Sequence, residues 1–259
     1  MSQAMAQTRD SKASLQGLLV LDMFVRLLIW SSSLAFTVAT MTALNDWPER
    51  GIIGANLSTA WSWGEKLTHA VLLFNLYYVA ALIVLRLPIP TPKEGAYSMA
   101  PGAPLDRNLL YAALIAMLTK ARYHAPFPGF FVFHIANLPP LRWFMNHVFG
   151  PKSRSCYVLD PILGDPHLTE IGRNVVFGFN SSVTCHTQQR DAIAIKKVVI
   201  GDDVLIGANA VVFSGSRIGR GAVVLSGAVV APDTVIGDYE VWGGLPAKKI
   251  KDLPPAAGK

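Results

Sequence analysis

Of the six histidines in the chain, His186 has the setting in which an imidazole could do chemistry. A side chain that titrates near neutrality can take a proton from one group and return it to another. If the run around it is a strand, alternation puts Thr184 and His186 on one side and Val183, Cys185 and Thr187 on the other. His186 then faces outward, where a substrate can reach it; the alternative is a surface histidine without a role. His167 precedes the repeat described below, His124, His134 and His147 lie in an aromatic stretch, and His69 opens an apolar helix. The two cysteines, Cys156 and Cys185, form neither a disulfide framework nor a CxxC metal spacing, which reads as reduced thiols. Within the repeat only His186 and Cys185 are adjacent candidate ligands, so no metal site is expected.

The elements that must position His186 are written in a period of six. From Ile200 to Ala247 the chain divides into eight hexads, opened by Ile200, Ile206, Val212, Ile218, Val224, Val230, Ile236 and Trp242. The second place is mostly small (Gly201, Gly207, Gly219, Ala231, Gly237, Gly243), with Phe213 and Leu225 as departures. Six residues is not a whole number of helical turns, and the stretch is dense in Gly and Val. A β-solenoid fits: one short strand and one tight turn per hexad, with the opening aliphatic inward. Further hexads begin at Ile171, Phe177 and Val183, but Val183 to Ile200 is 17 residues, one short of three hexads. The period therefore breaks between about Gln188 and Val198, and a loop reading TQQRDAIAIKK leaves the coil directly after His186.

On these hexads the chain resembles the hexapeptide-repeat acyltransferases, and its closing GGLPAKKIK (Gly243–Lys251) is similar to the ending of the acetyl-CoA-dependent branch. From about residue 95 it also resembles the acyltransferase-like terminal region of membrane proteins linked to nonribosomal peptide synthesis. Leu168, Thr169, Ile171 and Gly172, then His186 with Arg190 and Asp191, carry that likeness; the order of Arg190 before Asp191, and Gln188 and Gln189 in place of an apolar-acidic pair, depart from it. The resemblance implies a left-handed parallel β-helix, a homotrimer with sites between subunits, and acyl-CoA, acetyl-CoA first, as donor. It makes His186 the catalytic base, with Arg190 and Asp191 toward the acceptor. Backbone amides at Gly207, Ala208, Gly227 and Ala228 are open to a pantetheine arm because no side chain blocks them. Lys248 and Lys249 can meet its phosphates; the alternative is a solvated basic tail. Trp242 reads as an end-cap on the apolar core.

The rest of the chain points to a membrane. Hydrophobic residues make up 51% and charged ones 15%, and the mean hydropathy is +0.36, too apolar for an ordinary soluble enzyme. Leu15–Leu44 is nearly all apolar, and its uncharged part from Leu27 would span ~27 Å as a helix, against a hydrocarbon core of ~30 Å. Asp22 and Arg26 can pair at i and i+4. Residues 45–66 form a connector with Trp47, Trp61 and Trp63, residues suited to the bilayer interface. Leu67–Leu87 offers a second span, in which Asn75 should bond to the neighbouring helix. Arg9 and Lys12 precede the first span, and Arg86, Lys93 and Arg107 follow the second, which puts both ends in the cytoplasm and the connector outside. The formal net charge of +6 fits an anionic membrane face or phosphorylated ligands; no groove-reading motif supports nucleic acid.

Pro88–Pro104 reads as a linker without strand period. Beyond it, Leu109–Leu118 is too short to cross, and a segment with Pro126, Pro128, Pro139 and Pro140 among many aromatics suits short helices in the headgroup zone, with Lys120, Arg122 and Arg142 toward phosphates. The alternative is a soluble collar on the solenoid end. The expected organisation is a polar tail (1–14), a transmembrane helical hairpin (15–87), a linker and interfacial collar (88–155), the hexapeptide domain (156–247) and a basic tail (248–259). The expected activity is acyl-CoA-dependent transfer, O-acetylation before N-acetylation, to a lipid-linked or membrane-proximal acceptor. The rival is a non-catalytic trimeric membrane scaffold.

Overall fold

The computed structural model describes residues 2–44, 57–100, 103–132, 135, 138, 141–153 and 161–255; Trp47, Gly54, His134, Cys156 and Lys259 fall outside them. The chain divides into two compact units: Ser14–Ile89 with Met117–Met145, and Met1–Ala13, Pro90–Ala116 and Asn146–Lys259.

The second of these holds a parallel β-helix whose register follows directly from the hexads. Leu205 pairs with Val223, eighteen residues on, and the same step joins Val211 to Val229 and Arg217 to Val235. Three two-residue strands per coil therefore stack into three sheets, one on each face. The opening residue of each hexad from Ile171 to Ile236 is buried, as is the fifth from Val175 to Ala228 except Thr187 at the break, so two side chains per regular hexad fill the core. Trp242 packs against that core at its end, with its indole N–H 2.8 Å from Glu240 Oε2.

The turns rest on a place in the hexad that the pattern of small residues did not single out. In every hexad but those opened by Val183 and Trp242 the fourth residue has positive φ: Asn174, Asn180, Asp203, Asn209, Gly215, Gly221, Gly227, Asp233 and Tyr239. Asn, Asp and Gly tolerate this left-handed conformation, and one such residue per corner bends the chain onto the next face. Successive coils then align these side chains, Asn180 donating to Asn209 at 2.9 Å and Asn174 to Asp203 at 3.1 Å. The second-place glycines answer a different need. A Cβ on Gly207 would lie 2.3 Å from the Ser226 backbone nitrogen of the next coil.

The solenoid is longer than its clear hexads. Lys152–Ser153 pairs with the strand at Thr169–Ile171, and Ile162–Leu163 with Ser182–Val183, so coil strands begin before residue 156. Ala247–Asp252 is no tail: it turns back as an antiparallel strand on Glu240–Gly244. Pro88–Pro104 also contains a strand, Gly95–Ser98, which appears only in company, paired with Ala192–Ile195.

Helix α1 (Ser2–Ala43) and helix α2 (Leu57–Arg86) each contain a stretch long and apolar enough to cross a membrane, Gly17–Ala43 and Ser62–Arg86, and both stretches belong to the other unit. Arg26 Nε meets Asp22 Oδ1 at 3.0 Å, the expected i, i+4 pair. Asn75 differs from expectation. Its Nδ2 donates to Val71 O in its own helix and to Pro128 O, and its Oδ1 accepts from Phe131 N–H, so its distant partner is a turn and not a helix. Helix α3 (Arg107–Tyr123) extends the apolar segment past both expected ends, and helix α4 (Leu141–Phe149) follows the aromatic turn. Lys120 is exposed, but Arg122 is buried, its guanidinium 5.8 Å from the Tyr123 ring, and does not face outward as its charge suggested.

Candidate active site

The break in the hexads is an extruded hairpin. Across it, coil neighbours lie twenty-nine residues apart, as in Val176 with Leu205, so eleven residues are inserted into an eighteen-residue coil. His186–Gln188 and Ala192–Ile195 form its two antiparallel strands, His186 opposite Ile195 at the base. Gly95–Ser98 completes a three-stranded sheet, with Met99 N–H donating to Asp191 O at 2.8 Å and Lys197 N–H to Glu94 Oε2 at 3.1 Å. Thr187 Oγ1 lies 2.6 Å from Ser214 Oγ in the next coil. The base of the hairpin is thus tied on both sides, and His186 sits where it leaves the solenoid.

The partner of His186 is Asp165, a residue the hexad pattern did not bring forward. His186 Nδ1 lies 2.6 Å from Asp165 Oδ2, which also accepts from Cys185 N–H at 3.0 Å and Thr184 Oγ1 at 3.4 Å. A carboxylate can only accept, so the imidazole proton sits on Nδ1 and Nε2 carries the lone pair. Asp165 is 4% exposed; its backbone carbonyl accepts from Leu168 N–H and Thr169 Oγ1, which fixes it at the start of a short 3-10 turn, Pro166–Leu168. Burial pushes its carboxyl up, but the hydrogen bond and charge of His186 prevail and hold it below the usual carboxylate range. The same hydrogen bond raises His186 above its ordinary value, against the lowering effect of burial. The signal that locates Asp165 is register: Leu163 pairs with Val183, so Gly164–Asp165 and Thr184–His186 turn the same corner.

Other candidates fall elsewhere. Cys185 points inward, fully buried, its thiol 3.4 Å from Thr169 Oγ1 and pushed up by burial to about 12, which leaves it unreactive. Buried His167 belongs to the short turn after Asp165. Arg190 and Asp191 are exposed at the hairpin tip, beyond the end of the strand His186–Gln188.

Gly207, Ala208, Gly227 and Ala228 lie on a different corner, between the strands of the first and second faces, whereas His186 lies between the second and third. Three of their amides are already engaged, Gly207 N–H with Val224 O, Gly227 N–H with Ala208 O and Ala228 N–H with Leu225 O, and Ala228 is fully buried. These engaged amides correct the expectation of open ones; at Gly207 the missing side chain instead makes room for the Ser226 backbone of the next coil. Lys248 and Lys249 are exposed on the last strand, and Lys249 Nζ pairs with Glu240 and Asp252 at 2.8 and 2.7 Å.

The three-faced parallel coil of hexads defines a class of fold, and the chain has relatives in that class. The model of the hexapeptide repeat of succinyl-transferase matches residues 197–232. The chain is 32% identical over 130 residues to the putative acetyltransferase YvoF of Bacillus subtilis, covering 47% of this chain and 74% of that protein. Over 56 residues it is 61% identical to the 2,3,4,5-tetrahydropyridine-2,6-dicarboxylate N-acetyltransferase of Ligilactobacillus salivarius, 22% of this chain and 23% of that one. A maltose O-acetyltransferase structure from Clostridium difficile aligns at a TM-score of 0.40 with 17% identity, over 56% of this chain and 86% of that one. The chain belongs to the hexapeptide-repeat acyltransferases, and its coil is the left-handed parallel β-helix of that family.

Proposed function

We propose that the protein transfers an acyl group, acetyl in the simplest case, from acyl-CoA to a hydroxyl or amine of a membrane-proximal acceptor, with His186 as general base. The observation that carries this reading is the 2.6 Å contact between His186 Nδ1 and buried Asp165, which leaves Nε2 able to receive a proton at the mouth of the hairpin. In the reaction, Nε2 takes the acceptor proton as the acceptor oxygen or nitrogen bonds to the thioester carbonyl carbon. The carbon–sulfur bond then breaks, and the thiolate of CoA recovers that proton from the imidazolium. Asp165 acts as a positioning residue, holding the ring orientation and tautomer.

Exposed Lys248 and Lys249 are proposed to meet the donor phosphates, and Arg190 and Asp191, at the far end of the hairpin, to meet the acceptor. A homotrimer in which sites form between neighbours is proposed to bring these groups to His186. The two apolar helices are proposed to anchor the enzyme with both ends cytoplasmic, where acyl-CoA is available; the basic residues outside the spans support this orientation.

The direct test is His186→Ala. Turnover should fall roughly a hundredfold to ten-thousandfold, the usual contribution of a positioned base, with KM for acyl-CoA little changed. Near-normal turnover would remove His186 as the base. Replacing Lys248 and Lys249 by Ala should instead raise KM for the donor.

A further inference from the structure

The aromatic turn between α3 and α4 is fastened to the midpoints of both apolar helices. Trp30 lies thirteen residues from each end of Gly17–Ala43, and its indole N–H donates to Phe127 O at 2.8 Å. Asn75 lies thirteen residues from one end of Ser62–Arg86 and eleven from the other, and holds Pro128 O and Phe131 N–H at 3.0 and 2.9 Å. The Trp30 and Phe74 rings meet at 6.4 Å, so the helices also approach each other near these midpoints. At ~1.5 Å per residue, the two anchors sit roughly 16–20 Å from the ends of their spans, a depth comparable with the half-thickness of a hydrocarbon core of about 30 Å.

Irregular backbone is tolerated at such depth only where its polar groups are satisfied. This turn meets that condition closely. Pro126 and Pro128 carry no N–H, Gly129 N–H donates to Pro126 O, Phe130 N–H to Pro128 O and Val132 N–H to Gly129 O. Trp30 and Asn75 meet three more of its backbone groups, Phe127 O, Pro128 O and Phe131 N–H. The side chains behave in the opposite way: Phe127, Phe130 and Phe131 are 74%, 61% and 45% exposed, stacked edge to face at 5.3 and 6.4 Å. Nearby charges are compatible with the depth. Asp22 and Arg26 form an ion pair, Arg122 is buried against Tyr123, and exposed Lys120 can extend its ammonium toward the surface.

We propose that the turn at Pro126–Val132 is a re-entrant element whose phenylalanine rings contact lipid acyl chains near the bilayer midplane, deeper than the headgroup zone that composition suggests. The proposal rests on the membrane reading above, and one experiment separates the two. Spin labels are placed at Phe130→Cys, Phe36→Cys, Leu19→Cys and Phe179→Cys in the full chain carrying Cys156→Ser and Cys185→Ala, reconstituted in phosphatidylcholine and phosphatidylglycerol vesicles. Contact with oxygen, which concentrates among acyl chains, is compared with contact with a water-soluble nickel chelate.

Phe130 should match Phe36, in the second half of the first span, with oxygen contact exceeding nickel contact, while Leu19 reads shallower and Phe179 on the solenoid is nickel-accessible. Nickel contact at Phe130 equal to that at Leu19 or Phe179, with Phe36 still oxygen-rich, overturns the re-entrant turn alone. Protection of Phe130 from both reagents also overturns it, because another protein surface then covers the rings. Nickel contact at Phe36 as well removes the membrane reading and the proposal together.

Discussion

Removing the imidazole of His186 and removing the charge of Asp165 should give different kinetic signatures. Without the imidazole the proton has no acceptor. With Asp165→Asn the ring remains, but its hydrogen bond to a carboxylate, which raises its pKa, is gone. The base must be neutral to act, so the acidic limb of the kcat/KM profile should move to lower pH while the maximal rate falls. A rate loss without movement of that limb would reduce Asp165 to a structural role. The signs also set a stability window. His186, raised on folding, stabilises below its unfolded value of about 6.5 and loses this as pH climbs through its folded value. Asp165, lowered on folding, stabilises above about 3.9 and loses this as pH falls through its folded value. The stability gap between wild type and Asp165→Asn should therefore be widest between about pH 4 and 6.5, as a pH series of melting curves would reveal. Cys185 offers an independent check on burial. In a Cys156→Ser background its thiol, held up to about 12 and inside the coil, should react with a maleimide at neutral pH only after unfolding.

At the scale of the element, the second and fourth places of a hexad are predicted to respond oppositely to a side chain. Gly207 has the backbone of the next coil 2.3 Å from where its Cβ would stand, and that backbone has little room to move. Gly207→Ala should cost about 1–3 kcal/mol, the usual effect of overpacking, read as a lower Tm. Gly227 has φ +70 and open space around it. It follows Asn209 by eighteen residues, the coil repeat, on the corner where Asn180 already donates to Asn209. Gly227→Asn should leave Tm unchanged or raise it, since Asn accepts the left-handed conformation and restricts the unfolded chain. A loss as large as that of Gly207→Ala would contradict this account of the corner. The hairpin is a further element with a test: Tyr97 packs on the solenoid core from the strand that edges it. Tyr97→Ala should speed hydrogen exchange at Ala192–Ile195 before the coil itself loosens.

For the whole molecule, the membrane and assembly readings make separate demands. An enzyme anchored by Gly17–Ala43 and Ser62–Arg86 should resist extraction by alkaline carbonate. A reporter fused after the C-terminus should lie in the cytoplasm and one inserted near Gly54 outside; the reverse pattern would place the active site away from acyl-CoA. Native mass spectrometry from detergent should give three copies. A stable monomer with full activity would refute a site shared between subunits, and Arg190 and Asp191 would then need another role.

The hexad period was legible in the sequence because a solenoid repeats one local geometry, so each coil restates the same inward and outward places. The same locality made the apolar stretches, the Asp22–Arg26 pair and the break after His186 readable. What the break meant was less accessible. The spacing of seventeen residues looked like nearly three hexads, and only strand pairing showed it to be one hexad and an eleven-residue insertion. Asp165 reached His186 through an early coil too short and irregular to declare its register. Gly95–Ser98 became a strand because a hairpin almost a hundred residues later gave it partners, and Asn75 found a turn because the chain returns there after fifty residues. Periodicity reports contacts that recur at a fixed interval. The charge partner of the candidate base, the occupied amides at Gly207 and Gly227 and the anchoring of the aromatic turn each depend on one long-range meeting, and tertiary structure alone decided them.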